Sequence, residues 1–339
     1  MPSIFMHYYD AGACTYYRAI GPLKACRPDL MAEGIGIHGD EILEQEGRFD
    51  AYVFQGLPNQ KFWPLIQEYK RSGIRIAWNL DDDLWALPDR NQSKRHINRK
   101  QLRALEAALD LADYVWVSTE ALAERIARAK TWVLPNLVQP HLFPRRRQKE
   151  PGDPIRILWA GSPSHDPDLE LVAQPLREIL RRYGERVMVI FFGYLPNQFA
   201  AFVRKLGAMY ARIVPNTSGC LYVDPVPFGD YYVKLVQLGP DIALCPLIDN
   251  DFNRSKSNIK WLEMVMAGAR DVLVSNVPCY QDASFKVAPD KWEDAIKLAL
   301  EPGCRISELD QELVANRYSW LSPSKGEWLK AFRVLARGE

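Results

Sequence analysis

The sequence predicts an α/β protein made of two doubly wound domains that face each other across a cleft. Its 339 residues suffice for two domains, and a content of 47% hydrophobic and 25% charged residues is typical of a folded protein. Short apolar runs alternate with helical patterns along the whole chain. Strands that are apolar on both faces and separated by helices indicate parallel sheets covered on both sides, with right-handed crossovers.

Ten apolar runs have the length and the β-branched and aromatic content of strands. In the first half they are SIFMHYY, AYVFQ, IRIAWNL, YVWVS and TWVLPN, and in the second half IRILWAG, VMVIFFG, ARIVP, DIALCPL and DVLVSN. Helical periodicity marks QLRALEAALDLA, TEALAERIARAK and the regions near 167–183, 196–207, 257–268 and 291–300.

A stretch rich in proline and charge divides the chain. VQPHLFPRRRQKEPGDP, residues 138–154, has no apolar period and is typical of an interdomain linker. We therefore expect domains over 1–140 and 155–320, a linker over 141–154, and a C-terminal amphipathic helix over 321–339. Ligands of doubly wound sheets bind at the carboxyl ends of the strands, which places the expected site in the cleft.

Composition argues against several classes of protein. The net charge is +1, so a nucleic-acid or membrane role needs a local patch. The six cysteines are scattered without zinc spacing and are typical of reduced thiols in a cytoplasmic protein. There is no signal-peptide pattern and no apolar run near the roughly 20 residues that span a bilayer. We therefore expect a cytoplasmic protein without an integral membrane segment.

The stretch FNRSKSNIKWLEMVMAG, residues 252–268, joins a basic, hydroxyl-rich turn to an apolar helix with one carboxylate. It follows the buried strand DIALCPL, so the turn lies at the carboxyl edge of the second sheet. A diphosphate there would meet basic side chains and the positive helix end, and the carboxylate suits a ribose diol. The candidate donor-binding residues are Arg254, Lys256, Ser257, Asn258, Lys260 and Glu263. A solvated turn whose glutamate pairs with a lysine is the alternative.

Three consecutive acids, Asp81, Asp82 and Asp83, end the buried strand of IAWNLDDDLWALP. Adjacent carboxylates repel one another, so folding gains nothing from the cluster, and the strand end faces the cleft. We interpret the three as candidate catalytic residues that orient a substrate hydroxyl or take its proton. A metal site of the Asp-x-Asp kind and a solvated acidic turn are the alternatives, and we expect no metal.

A basic run follows the acids. Residues 90–103 hold six basic residues and no acid. Next to the acidic strand end, such a run suits a polyanion such as DNA or a phospholipid-linked glycan, and a solvated helix face is the alternative. The candidate acceptor-binding residues here are Lys94, Arg95, Arg99 and Lys100.

NIKWLEMVMAGARDVLVSNVPCYQD resembles the donor-binding segment of retaining glycosyltransferases with the GT-B fold, of the group 1 or family-four-like type. Glu263 and Gly268 keep the family spacing, and the first acid of its pattern of two glutamates falls on Ser255. The segment with the acids is similar to the family's His-Asp segment, with Asp81 at the His position and Asp82 at the Asp position. The resemblance implies two Rossmann-like domains, a C-terminal helix that crosses back to the first, and ribose binding by Glu263.

The resemblance extends to two further parts of the second domain. ILWAGSPSHD looks like the first strand and loop of the donor domain, which implies that Gly161 and Ser162 approach the donor. FFGYLP looks like the base-binding segment, with Gly193 and Tyr194 near the base. The family's usual Arg and Lys are missing after the first of these strands, and the basic turn would replace them. GSPSHD also lacks the Gly-x-Gly-x-x-Gly fingerprint, which argues against a dinucleotide dehydrogenase.

In the first domain, DAGACTYYRAIGPL is similar to a glycine loop that touches the donor phosphate. Gly12 permits close approach of the backbone. The resemblance implies donor contacts for Gly12 and Arg18, and acceptor contacts for Tyr16 and Tyr17.

These features lead to an expected glycosyltransferase that moves a sugar from a nucleotide-diphosphate sugar, with UDP-sugars foremost, to an acceptor hydroxyl with retention. No tightly bound cofactor is expected. The acceptor would be a hydroxymethylpyrimidine in DNA, as in a bacteriophage genome, or a bacterial glycan or lipid-linked intermediate. A GT-B-fold nucleotide-sugar epimerase and a sugar-binding protein without chemistry are the alternatives.

Overall fold

The computed structural model describes residues 2–8, 12–41, 49–128, 130–146, 149–196, 199, 219–303, 305 and 309–338. Two six-stranded parallel sheets organise these residues, one in each half of the chain. Helices follow most strands, so the predicted α/β architecture of two doubly wound domains is confirmed. Strands β3 and β8 (bounds below) are buried along their whole length, which explains their continuous apolar sequence.

The first sheet has the strand order β2-β1-β3-β4-β5-β6. Its strands are β1 (Ser3–His7), β2 (Gly36–Asp40), β3 (Ala51–Gln55), β4 (Arg75–Leu80), β5 (Tyr114–Val117) and β6 (Thr131–Val133). Its helices are α1 (Gly21–Ala32), α2 (Trp63–Arg71), α3 (Arg99–Leu111) and α4 (Glu120–Ile126). A short helical segment with a π-helical turn over Tyr16–Ile20 precedes α1.

The second sheet has the order β12-β11-β10-β7-β8-β9. Its strands are β7 (Ile155–Ala160), β8 (Val187–Phe192), β9 (Gly219–Val223), β10 (Ile242–Cys245), β11 (Asp271–Ser275) and β12 (Lys286–Val287). The helices of this half are α5 (Glu170–Tyr183), α6 (Phe228–Leu238), α7 (Asp251–Arg254), α8 (Ile259–Met266), α9 (Trp292–Leu300) and α10 (Asp310–Arg317).

Several elements were not predicted from the sequence. Strand β2 reads GIHGD, and its two glycines hide any apolar alternation. Helix α1 contains Pro28, a residue that ordinarily ends helices. The predicted strand ARIVP lies outside the described residues, as does most of the predicted helix near 196–207.

The last helix, α11 (Lys325–Arg337), packs on the first sheet, as the sequence led us to expect. The buried Trp328 donates from Nε1 to the carbonyl of Pro135 at 3.0 Å. Arg333 pairs with Glu33 beyond α1, with 2.7 Å from Nε to Oε2. The helix therefore returns the end of the chain to the first domain. Within the described residues, every helix is too short or too polar to cross a bilayer.

Side-chain and backbone hydrogen bonds join the two domains across the cleft. Thr119 donates from Oγ1 to the carbonyl of Ser255 at 2.8 Å, and Asn136 donates from Nδ2 to Oγ of Ser257 at 2.9 Å. The carboxyl edges of both sheets are thereby held close together around one cavity.

Candidate active site

A cavity of about 340 Å³ lies between the carboxyl edges of the two sheets. The first domain contributes residues after β1 and after β4, which are Ala13, Cys14, Tyr17, Asp81 and Asp82. The second domain contributes the loop after β7, the start of α6 and the turn leading into α8; its polar lining residues are Ser162, Ser164, His165, Tyr231, Lys256, Ser257, Lys260, Glu263 and Tyr280. The cavity thus brings together many of the residues singled out in the sequence.

Two lysines of the second domain enter this cavity. Nζ of Lys256 lies 3.8 Å from Oδ1 of Asp82 on the opposite domain and 4.5 Å from the ring centre of Phe252. Burial acts to lower the pKa of Lys256, but Asp82 and other nearby acids outweigh it, so the pKa is raised. Lys260 donates to the carbonyl of Ala160 at 3.0 Å, and burial lowers its pKa to about 8. Both cations lie at the start of α8.

The other residues of the basic turn are divided between this cavity and a second one. Arg254 lies outside this cavity, pairs with Asp249 at 2.7 Å and lines a second cavity of about 580 Å³ together with Asn258. Asn258 holds the cap position of α8, but its side chain makes no capping hydrogen bond. Ser257 lines the first cavity and accepts from Asn136.

Glu263 is 5% exposed and lines the cavity from within a cluster of tyrosines. Tyr17 of the first domain donates to its Oε1 at 2.6 Å, and Tyr231 donates to its Oε2 at 3.0 Å. Burial raises the pKa of Glu263 to about 7, although the tyrosine hydrogen bonds and Lys260 oppose that shift. The carboxyl therefore links the two domains, in addition to facing the cavity.

The loop after β7 is pressed against neighbouring backbone and side chains. A Cβ at Gly161 would lie 2.5 Å from Nζ of Lys260. Gly193 has a φ of +92°, and a Cβ there would lie 2.7 Å from the carbonyl oxygen of Gly161. Tyr194 donates to Asp166 at 2.9 Å. Gly161 and Ser162 line the cavity, whereas Gly193 and Tyr194 support the loop from behind.

The three consecutive aspartates have different surroundings. Asp81 lines the cavity and accepts from Nδ2 of Asn136 at 3.1 Å. Asp82 also lines it, and its pKa is raised by burial and by Asp81 and Asp83, against the opposing effect of Lys256. Asp83 is 1% exposed, accepts from the backbone of the following turn and lies 3.2 Å from Arg125. Asp81 and Asp82 therefore face the cavity, whereas Asp83 does not.

The candidate residues near the N-terminus also differ in their surroundings. Tyr17 lines the cavity. Tyr16 packs beside Tyr17, and its ring centre lies 4.8 Å from that of Phe228. Arg18 is fully buried in the first domain, where Asn79 accepts from its Nε at 2.9 Å and the carbonyl of Leu134 accepts from its Nη1. It also lies over the ring of Trp328. Gly12 does not line the cavity.

The basic run lies at the edge of the cleft. Its segment Gln92–His96 approaches Pro163–His165 of the second domain, and Arg90 pairs with Glu170, with 3.1 Å from Nη1 to Oε2. The four candidate cations are exposed, namely Lys94, Arg95, Arg99 and Lys100. Arg99 and Lys100 begin α3, where the helix dipole disfavours cations, so folding does not explain their position.

Sequence reasoning assigned no role to Tyr231 and left His165 outside the candidate residues, although both line the cavity. The signal for His165 is its place after β7 and its spacing to Asp168, whose Oδ2 lies 2.9 Å from Nδ1 of the imidazole. In the part of the chain that the structure describes, no three His, Cys, Asp or Glu side chains converge as metal ligands.

Solved structures resemble the whole chain. A UDP-N-acetylglucosamine 2-epimerase from Listeria monocytogenes matches 98% of this chain and 96% of its own, with a TM-score of 0.57 and 11% identity. An alpha-glucosyltransferase in complex with UDP matches 98% of this chain and 94% of its own, with a TM-score of 0.56 and 12% identity. The alpha-glucosyltransferase in complex with UDP and a 13-mer DNA containing an HMU base matches 99% of this chain and 96% of its own, with a TM-score of 0.56 and 12% identity.

Neither a protein-family model nor a curated protein matches the sequence. At 11–12% identity the structural likeness concerns the fold. Two facing parallel sheets and a C-terminal helix that crosses back are the features of that fold, and this chain has the GT-B fold.

Proposed function

We propose that the protein is a glycosyltransferase that moves a sugar from a UDP-sugar to an acceptor hydroxyl with retention. The observation that carries the proposal is the cavity between the sheets, where lysines of one domain face aspartates of the other. Such a site can hold an anionic leaving group on one side and a hydroxyl nucleophile on the other. The structures that resemble this chain include two of a glucosyltransferase with bound UDP, which supports the choice of donor.

The second domain would bind the donor. Lys256, Lys260 and the start of α8 suit a diphosphate, because a helix N-terminus and buried ammonium groups together favour phosphate oxygens. Glu263 suits the ribose hydroxyls. As the bond from the anomeric carbon to the diphosphate breaks, these groups stabilise the charge that develops, so we expect no dependence on a metal ion.

The first domain would bind the acceptor. Its hydroxyl attacks the anomeric carbon from the face that the diphosphate leaves, which retains the configuration. Asp81 and Asp82 orient that hydroxyl, and Asp82, whose pKa is raised, takes its proton. Asp83 and Arg18 have no part in this proposal, because their polar atoms bind within the first domain.

We propose DNA with a hydroxymethylpyrimidine as the acceptor. The exposed cations of residues 94–100 lie beside the cleft and two of them oppose a helix dipole, which a phosphate backbone would relieve. The structural likeness to a glucosyltransferase solved with HMU-containing DNA supports the same choice.

The test is an assay with labelled UDP-glucose and UDP-N-acetylglucosamine, each offered with hydroxymethylated duplex DNA, unmodified duplex DNA, a bacterial glycan and lipid extract, or no acceptor. Label incorporated only into hydroxymethylated DNA supports the proposal. Release of an epimer without acceptor supports a nucleotide-sugar epimerase instead. Label in a glycan or lipid fraction but not in DNA retains the transferase and overturns the DNA acceptor.

A further inference from the structure

Ser255, which occupies the first acid position of the family's pattern of two glutamates, does not reach the cavity in this protein. Ser255 is 6% exposed, and its hydroxyl donates to the carbonyl of Asp251 at 3.2 Å. Its own carbonyl accepts from Thr119. Ser255 is not among the residues that line the cavity. Three other acceptors of the lining are already engaged, because Asp81 accepts from Asn136, Asp82 faces Lys256 and Glu263 accepts from two tyrosines.

His165 lines the cavity and is held in one orientation. Its Nδ1 lies 2.9 Å from Oδ2 of Asp168, and its side chain is 12% exposed. Asp168 is itself fixed, since its Oδ1 accepts from the backbone N–H of Ile248 and from Nδ2 of Asn253, both at 2.9 Å. A buried network from β10 and α7 thus sets the position of the imidazole.

The protonation state of this pair decides what the imidazole can bind. Burial opposes ionisation of Asp168, but the hydrogen bonds from His165 and Ile248 and the nearby cations outweigh it, so its pKa is lowered and it is a carboxylate. Nδ1 of His165 must then carry a hydrogen and donate it to Asp168. Burial, Lys260 and Lys256 lower the pKa of His165 to about 3, so at neutral pH its Nε2 has a lone pair and no proton. A neutral Nε2 accepts from a hydroxyl and has nothing to donate to a phosphate.

We propose that His165 is a specificity-determining residue whose Nε2 accepts a hydrogen bond from a hydroxyl of the donor sugar. Asp168 is the positioning residue that holds the ring. This inference rests on the proposed function, because it names the sugar contact of the same site.

Calorimetric titrations of UDP, UDP-glucose, UDP-galactose and UDP-N-acetylglucosamine test the proposal in the wild type, His165→Asn and His165→Gln. Asn keeps a donor near Nδ1 but lacks a group at the Nε2 position, whereas the Gln oxygen reaches that position. The wild type should bind at least one sugar nucleotide more tightly than UDP. We expect His165→Asn to reduce that preference about tenfold, as when one hydrogen bond is removed, with UDP affinity unchanged, and His165→Gln to restore part of it.

Equal losses for UDP and for the sugar nucleotides, or no preference in the wild type, would overturn the role of His165 while leaving UDP binding intact. Failure of UDP to bind the wild type would overturn the proposed function and this inference together. Thermal unfolding of each variant shows whether it is folded at the titration temperature.

Nitrogen-15 NMR of the histidine rings supplies a readout that a merely structural role would not move. The His165 signals are assigned by their absence in His165→Asn. We expect a protonated Nδ1 and an unprotonated Nε2, whose resonance shifts when the preferred sugar nucleotide is added but not with UDP. A protonated Nε2, or the same shift with UDP alone, would contradict the proposal.

Discussion

A buried carboxyl group with a raised pKa dominates the site at the residue scale. Glu263 faces the cavity, yet its oxygens accept from Tyr17 of one domain and Tyr231 of the other. Ribose hydroxyls must share these oxygens with the tyrosines or displace them. The same carboxyl therefore contributes to domain contact and to the pH dependence of stability, and in the proposed function it also binds the donor.

Glu263→Gln should change how stability depends on pH. In the unfolded chain Glu263 loses its proton near pH 4.5, whereas in the fold it keeps the proton to about pH 7. The folded state binds more protons in this window, so the stability from Glu263 is present below pH 4.5 and is lost as pH rises to about 7. Relative to the wild type, the variant should gain on the order of 3 kcal/mol across the window, since each unit of pKa difference corresponds to about 1.4 kcal/mol.

Chemical denaturation at several pH values measures this difference. His165, whose pKa is lowered, contributes a dependence of unfolding free energy on pH with the opposite sign. This contribution is the same in both proteins and cancels in their difference. A difference in unfolding free energy that stays constant from pH 4 to pH 8 would contradict the raised pKa of Glu263.

At the element scale, the turn before α8 directs neighbouring cations into different spaces. Lys256 and Lys260 line the first cavity and Lys256 also borders the second, whereas Arg254 lines only the second cavity and pairs with Asp249. Lys256→Met and Lys260→Met should each weaken UDP binding about tenfold to a hundredfold, because each removes a charged hydrogen bond, and should change uridine binding much less.

Arg254→Met is the matched control, since it removes an equal charge from the same turn outside the cavity. Calorimetry with UDP and uridine measures all three variants. If Arg254→Met weakened UDP binding as much as the lysine variants do, the diphosphate would have to lie in the second cavity instead.

The packing of helix α11 on the first domain depends on a buried tryptophan. Trp328 is fully buried between this helix and the first domain, whereas Leu321 just before the helix is 85% exposed. Trp328→Ala should lower the free energy of unfolding by about 3–5 kcal/mol, and Leu321→Ala by less than about 0.5 kcal/mol. Similar values from urea denaturation of the two variants would show that α11 does not stabilise the first domain.

The sequence predicted elements well where local pattern decides them. Continuous apolar runs marked the buried strands, and the acids and lysines of the cavity were found because they follow such strands. Arg18 and Arg254 show the limit of this reasoning. Both looked like phosphate ligands, but Arg18 meets Asn79 and Leu134, far along the chain, and Arg254 meets Asp249. The partners of Arg18 are tertiary contacts that no local pattern contains, whereas the carboxylate that pairs with Arg254 lies in the same loop and was overlooked in the sequence.

At the scale of the whole molecule, the cleft and the basic run form one continuous surface. The segment Gln92–His96 approaches the loop after β7, so a polyanion bound along residues 94–100 would pass the mouth of the cavity. Neutralising Lys94, Arg95, Arg99 and Lys100 together should reduce the dependence of log affinity for DNA on log salt by about one unit for each DNA phosphate that these side chains neutralise in the wild type.

Filter binding at several salt concentrations measures that slope for the wild type and the fourfold variant. A second variant with Lys24, Arg71, Lys291 and Lys330 neutralised removes the same charge from other surfaces and should keep the wild-type slope. An unchanged slope in the first variant would mean that residues 94–100 are a solvated surface.

The central claim is that a nucleotide diphosphate binds in the cavity between the two domains. Hydrogen–deuterium exchange of the wild type with and without saturating UDP tests it most directly, because it reports where the ligand slows backbone exchange. The account predicts slower exchange in residues 161–165 and 255–263, with little change in α9 or in the outer strands. Calorimetric binding of UDP with slower exchange confined to another surface, or with no change in these two segments, would contradict it.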